Sequence, residues 1–313
     1  MELLGKDRSV DPGKLTNREK AVLAESLRSA HRPDALLDAA GMAKSSYLYQ
    51  KNAPLRPDKH AALRIRITEV FHGSYRRYGY RRVHAALKSE EVVVSEKVVC
   101  RIMKEEVLIA KRPGKRKYSS CKGEIGEAPE NIVKRDFHAD GPNRLWLTDI
   151  TEFSIPAGKA CLSPIIDCFD GMCVARTQST SPNAELVSSM LDAAASKLPE
   201  GEHPVSHSDR GCHCRWPGWI ERCERYGVTR SMSRKGCSPD NSAMEGFFGR
   251  LKGEFFYGRD WSGWSVHGFM DALDEYIHWY NEEGIELSLG GMGPMRYRRS
   301  LGLGEGNTSW TPS

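Results

Sequence analysis

No stretch of this 313-residue chain stays apolar for the length a helix needs to cross a bilayer. The opening residues, Met1-Glu2-Leu3-Leu4-Gly5-Lys6-Asp7, lack the hydrophobic run of a signal peptide, so no secretion or membrane insertion is expected. Cysteine is sparse, nine residues at spacings that follow no disulfide framework, which points to reduced thiols and a cytoplasmic setting. Cys212-His213-Cys214 with Cys223 and Cys237 also lacks the paired spacing of a structural zinc site. Charge of one sign is not abundant either. The 46 Lys and Arg against 41 Asp and Glu leave +5, so the placement of the cations matters more than their sum. The length itself permits two or three domains and at least one sizeable core.

What is present begins with helices. Thr16-Asn17-Arg18-Glu19 has the form of a capping box, followed by Val22, Leu23 and Leu27 at helical spacing. A short helix is predicted over 34–40, ended by Gly41, and a third from about Ser45 with Tyr47, Leu48 and Tyr49. This order suits a helix-turn-helix or a small helical cap that binds nothing. Residues 50–59, with Pro54 and Pro57, read as a linker. A helix over 61–71 leads into Tyr75-Arg76-Arg77-Tyr78-Gly79-Tyr80-Arg81-Arg82, where rings alternate with guanidiniums, and Ser95 can cap a further helix. Arg76, Arg77, Arg81, Arg82 and Arg101 are candidates for contacts to phosphates or base edges, against the plainer alternative of a solvated basic face. Lys111-Arg112-Pro113-Gly114-Lys115-Arg116-Lys117 carries five positive charges in seven residues. Its proline and glycine exclude a helix, and Lys115, Arg116 and Lys117 suit a tether that tracks a polyanion.

Beyond Gly141 the pattern changes to strands. Runs over 145–153, 160–167 and 172–178 are strand-like, a helix capped by Ser181 with Pro182 in its first turn follows, and a short strand over 203–207 delivers Asp209. Helix over 216–226, strand over 228–231 and a helix from about Asn241 complete the order. That last helix carries Glu245, with Met244, Phe248, Leu251 and Phe255 on its apolar side. A final amphipathic helix is expected over 266–280. Periodicity supports a mixed α/β domain. Three carboxylates stand out: Asp149 in Leu145-Trp146-Leu147-Thr148-Asp149-Ile150-Thr151, Asp209 in His207-Ser208-Asp209-Arg210-Gly211, and Glu245, with 35 residues between the last two. Acidic residues are 41 of 313, so that spacing alone arises by chance about one time in eight; the strand-end and helix-start contexts raise its meaning. At about 4 Å each pair of carboxylates repels by roughly 4 kcal/mol at an effective dielectric of 20, so such a cluster calls for a cation. Asp167 and Asp170 lie at a turn and Glu152 faces away from Asp149, so none of them is placed in the set.

Together with Ser231-Met232-Ser233-Arg234-Lys235-Gly236 and Asp240-Asn241-Ser242-Ala243, these stretches resemble insertion-sequence transposases of the second-reading-frame (OrfB) type, with their Asp-Asp-35-Glu integrase core. The resemblance implies an α/β fold: a ribonuclease H-like integrase core, with a mixed five-stranded sheet and flanking helices, preceded by small all-α helix-turn-helix domains. The expected division is 1–58 N-terminal helical region, 59–118 helix-turn-helix-like domain with basic linker, 119–140 connector, 141–260 catalytic core and 261–313 C-terminal helix and tail. It implies nicking of insertion-element ends and strand transfer by two-metal-ion phosphoryl transfer. The alternatives are a catalytically inactive DNA-binding regulator and a ribonuclease H-like nuclease without strand transfer. Asp149 would bridge two Mg²⁺ ions, for which Mn²⁺ can substitute, with Asp209 on one and Glu245 on the other. Lys252, two helical turns past Glu245, would sit beside the DNA end, and Arg250, Lys235 and Asn241 are further DNA-contact candidates; Asn241 could instead cap the backbone. Double-stranded DNA (element ends and target), copies of the chain on DNA and the upstream-frame protein of the same element are the implied partners, in a bacterial, nucleoid-associated location. The family often has glycine where this chain has Glu91 and Val107, and aromatic residues at Cys161 and Cys214.

Overall fold

The computed structural model describes residues 15–52, 58–110, 128–235 and 237–303. The chain divides into two compact units, Met1–Arg66 and Ile67–Ser313. Lys115, Arg116 and Lys117 lie outside the described residues.

The first unit contains α1 (Asn17–Ser26), α2 (Pro33–Ala39) and α3 (Lys44–Asn52). The capping box forms: the Thr16 amide donates to Glu19 Oε2 at 2.8 Å, and the Glu19 amide to Thr16 Oγ1 at 3.4 Å. The buried side of α1 is Ala21 and Ala24 rather than Val22, which is 65% exposed, because the small residues let α2 and α3 approach. Of the three apolar positions expected on α3 only Tyr47 is buried, where its hydroxyl bonds Glu25; Leu48 and Tyr49 face water. Gly41, at φ +57, turns the chain from α2 toward α3.

Helix α4 (Ala61–Gly73) runs through the division, and α5 (Tyr80–Ser89) and α6 (Glu96–Glu105) follow. Ile67, Phe71, Val83, Leu87, Val99, Ile102 and Met103 are all buried. Both α5 and α6 end in the same way. The Val92 amide bonds back to Leu87 O at 3.0 Å and the Leu108 amide to Met103 O at 2.8 Å, which forces Glu91 and Val107 into left-handed backbone at φ +61 and +54.

The sheet comprises β1 (Leu145–Thr148), β2 (Thr151–Ile155), β3 (Gly158–Asp167), β4 (Cys173–Ser179), β5 (Val205–Ser208) and β6 (Thr229–Met232). The single strand expected over 145–153 is two strands in one line, β1 and β2, both antiparallel to β3. The break falls at Asp149-Ile150, where the Ile150 amide donates to Asp149 Oδ1 at 2.7 Å. Counting that line once, the ranks run β4, β3, β1/β2, β5, β6, with β4 antiparallel to β3 and β5 and β6 parallel to β1. This mixed five-rank sheet is the ribonuclease H-like arrangement.

Alternation along β1 sends Trp146 to one core and Leu147 to the other. Trp146, Ile165 and Val174 pack with α7 (Ala184–Ala195) and α8 (Pro217–Arg225) through Val187, Met190, Leu191 and Trp219. Leu147, Phe153 and Leu162 pack with α9 (Ser242–Leu251) and α10 (Val266–Glu282) through Met244, Phe248, Phe269, Leu273 and Ile277. The core therefore continues past residue 260. Asn183, not Ser181, caps α7, its Oδ1 accepting the Leu186 amide at 2.9 Å, so Pro182 lies before the helix. Asp167 and Asp170, at the turn between β3 and β4, are pinned by Arg298 of α11 (Pro294–Ser300) at 2.8 and 2.6 Å.

Left-handed backbone costs an L-residue about 1 kcal/mol or more, and a β-branched side chain most of all. Glu91→Gly and Val107→Gly should each stabilise the chain by about 1 kcal/mol, the second more than the first. Urea denaturation checks this: the midpoint should rise at constant m-value, and an unchanged or lower midpoint refutes it.

Candidate active site

The parallel pairing of β1 with β5 sets Thr148 opposite Ser208. The residues that follow them, Asp149 and Asp209, therefore leave adjacent strand ends on the same side of the sheet. Glu245 comes to the same place on the first turn of α9, whose Met244 is buried in one core with Leu147 of β1. Burial comes first, then Asp209, then Glu245, in pushing the Asp149 carboxyl from its ordinary value of 3.8 up to about 8. The Ile150 amide and the Lys252 ammonium act in the opposite direction. Asp209 is held by the Gly211 amide, which donates to its Oδ1 at 2.7 Å. A Cβ at Gly211 would lie 2.7 Å from that same oxygen, so a larger residue there would push the Asp209 carboxylate out of this position.

Lys252 begins the π-turn that follows α9, with its Nζ 5.4 Å from the centre of the Phe153 ring. Burial lowers its pKa, while Glu152 and Asp149 pull it back up. Its positive charge thus faces the carboxylate site from an apolar wall. Asn241 occupies the N-cap position of α9 but makes no capping bond with its side chain. Instead its Nδ2 donates to Asp149 Oδ2 at 3.3 Å, and its buried Oδ1 has no partner among the described residues. Glu152 turns away to pair with Lys159 at 2.9 Å.

The basic candidates separate into two groups. Arg82 pairs with Glu254, and so does Arg250, at 3.1 Å, which also pairs with Glu286. Arg77 lies 4.7, 4.6 and 4.7 Å from the rings of Tyr75, Tyr276 and Trp279, and burial lowers its pKa. These three make internal contacts that tie the α4–α5 region to α10 and the end of α9. Arg76, Arg81 and Lys235 are exposed. The partner that decides the matter, Glu254, is four residues after Arg250, a helical spacing visible in the sequence. The other group that sequence reasoning passed over is Asp240, whose buried carboxylate accepts from Arg135 at 2.7 Å and Arg234 at 2.9 Å.

All the donors at the site are carboxylate oxygens, which suit a hard divalent cation. The nearby Cys214 thiol is pushed far above its usual range by burial and lies in an apolar cluster, so it offers no soft ligand. Among the described residues, no three His, Cys, Asp or Glu side chains already stand close enough together to cage an ion. The fit rests on charge: burial first, then the charges of Asp209 and Glu245, raise the Asp149 carboxyl to about 8. A cation that draws them together would remove that penalty.

Models of known families match three stretches: an HTH-like domain over 58–116 and an integrase core domain over 139–238 and again over 245–301. A protein from Shigella flexneri named as a transposase for insertion sequence element IS1353 is 50% identical over 302 residues, which are 96% of this chain and 59% of that protein. The chain therefore spans about three-fifths of that relative's length. A second, named as transposase InsK for insertion sequence element IS150 of Escherichia coli strain K12, is 41% identical over 87% of this chain and 95% of its own. Among solved structures, the HTLV-2 integrase catalytic core domain in complex with magnesium is 17% identical, with a TM-score of 0.38, covering 50% of this chain and 95% of that one.

Between pH 4 and pH 8 the folded chain holds a proton on Asp149 that the unfolded chain has released, so rising pH favours unfolding. The melting temperature of the metal-free protein should fall across that window. Asp149→Asn should flatten the fall and melt higher at pH 8. Thermal melts in EDTA from pH 5 to pH 9 decide it; parallel curves for the two proteins would contradict the assignment.

Proposed function

Since the chain belongs to the insertion-sequence transposases with an integrase core, we propose that it cuts DNA at the ends of its own element and joins the released 3′ ends to a target. The observation that supports this most is that Asp209 and Glu245 lie near enough to Asp149 to act on its charge, its carboxyl being lifted to about 8 by burial first and then by these two acids. Both steps are in-line displacements at phosphorus. In the first, the oxygen of water forms the new bond to phosphorus and the 3′ oxygen departs. In the second, the oxygen of that 3′ hydroxyl bonds to a phosphorus of the target as it loses its proton, and the target's own 3′ oxygen departs and takes up a proton.

Asp149, Asp209 and Glu245 would hold two Mg²⁺ ions, and Mn²⁺ would serve in their place. Once bound, the pair supplies nucleophile activation and neutralises charge building on the phosphoryl group and leaving oxygen. The chain's own residues do the rest. The strand ends and the helix start keep the carboxylates from drifting apart. Asn241 orients Asp149 through its Nδ2. Lys252, half-buried against Phe153, sets a positive charge where a terminal phosphate would lie, in surroundings of low dielectric that strengthen the attraction. Arg76 and Arg81 on the helix-turn-helix-like unit, Lys235 near the site, and Lys115, Arg116 and Lys117 in the tether would hold duplex backbone.

Double-stranded DNA from the element ends and the target is thus the substrate. Several copies of the chain assembling on DNA, together with an upstream-frame protein of the element, complete the proposed assembly. Among the described residues no helix is long and apolar enough to cross a membrane. A cytoplasmic, nucleoid-associated location belongs to the same proposal.

Labelled duplexes carrying the termini of the encoding element test it. With Mg²⁺, the full chain should nick and join them. Asp149→Asn, Asp209→Asn and Glu245→Gln should each lower both products by about 1,000-fold or more, as expected when a group that acts only in the transition state is lost. Gel-shift affinity should stay unchanged. Binding without cleavage in the wild type would favour an inactive regulator, and cleavage without joining a simple nuclease; either outcome refutes the transposase.

A further inference from the structure

Residues 239–244 fall between the two integrase-core matches, and residues 117–138 fall between the HTH-like match and the first of them. These two unclaimed stretches meet in space. Asp240, from the first, is fully buried. Its carboxylate accepts from Arg135 Nε at 2.7 Å and from Asn131 Nδ2 at 3.0 Å, both in the second. It also accepts from the Arg234 amide at 3.1 Å and from Arg234 Nε at 2.9 Å. These donors hold the carboxyl well below its usual range.

The backbone of Asp240 is held as firmly. Its carbonyl accepts from His207 Nε2 at 2.9 Å, while His207 Nδ1 accepts from the Ser231 hydroxyl at 2.8 Å. His207 is two residues before Asp209. Asn241, the next residue after Asp240, bonds Asp149, and Glu245 follows four residues later. One buried carboxylate is therefore linked, through His207, Asn241 and the first turn of α9, to the segments that carry all three acids.

We propose that Asp240 is a positioning residue for Asp149, Asp209 and Glu245, and that Arg135 of the connector completes its hold. The claim rests on the function proposed above. A single guanidinium suffices to balance one carboxylate, and Arg234 already supplies it in two-pronged form. Arg135 is added at a cost, since Lys134 and Arg135 stand at φ +50 and +70, two consecutive non-glycine residues in left-handed backbone. Such strain persists where the surrounding contacts require that geometry. What the second guanidinium adds is direction: it fixes the loop that starts α9, and so the angle at which Asn241 and Glu245 enter the site.

The test uses the full chain and Mn²⁺ as probe, with free Mn²⁺ followed by electron paramagnetic resonance. The Arg135 side chain is 47% exposed, so Arg135→Gln should fold and melt within a few degrees of wild type. It should weaken Mn²⁺ binding by about 10-fold and lower kcat for end cleavage by about 10- to 100-fold, with KM for DNA unchanged. Arg135→Lys should recover part of both losses, and Asp240→Asn should exceed them. Wild-type Mn²⁺ affinity in Arg135→Gln overturns the proposal, as does a defect confined to KM, which would make Arg135 a DNA contact. A wild-type chain that binds no Mn²⁺ also overturns it. A wild-type chain that binds Mn²⁺ yet cuts no DNA removes the transposase function alone, and the affinity comparison still decides the role of Asp240.

Discussion

Burial beside other acidic side chains disfavours a charged carboxylate, and this structure answers that penalty at Asp149 with rigid backbone and a retained proton. Asp149 is the focus. Its own neighbour's amide bonds it, a buried asparagine bonds it from another element, and burial beside Asp209 and Glu245 keeps its proton on at neutral pH. The break between β1 and β2, the parallel pairing of β1 with β5, and the docking of α9 through Met244 follow from bringing these groups to one point.

A second tier of polar contacts keeps the elements from relaxing away. His207 joins β5, β6 and the start of α9 through both ring nitrogens. Asp240 collects the connector and the loop after β6. At the β3–β4 turn, Arg298 of α11 pairs with both Asp167 and Asp170. In each case one buried charge or ring binds segments far apart in sequence, so removing a partner would leave an unpaired group in low dielectric.

The arginines show how the same side chain takes opposite roles. Arg77, Arg82 and Arg250 are drawn inward by Glu254, Glu286 and a cage of rings. Arg76 and Arg81, one residue away from two of them, point to water. An alternating ring–arginine stretch therefore builds an interface on one side and a basic surface on the other. Local pattern could not separate the two, because Glu254 and Tyr276 lie more than 170 residues downstream of Arg82.

Much of the architecture was legible beforehand because it depends on neighbours in sequence. The capping box at Thr16, the apolar side of α9 and the strand-helix order of the core are set by spacing within a turn or two, where propensity and periodicity operate. Asp149, Asp209 and Glu245 were singled out for the same reason, each lying in a distinctive local context. Glu91 and Val107 were visible as residues in turns that favour glycine, and their backbone is left-handed. What the chain could not reveal alone was which buried face, cap or ion pair would prevail. Val22 faces water, Asn183 rather than Ser181 starts α7, and Asn241 serves Asp149 instead of the helix end. Desolvation and long-range charge decide such matters, and both depend on segments brought together only when the sheet and its two cores are complete.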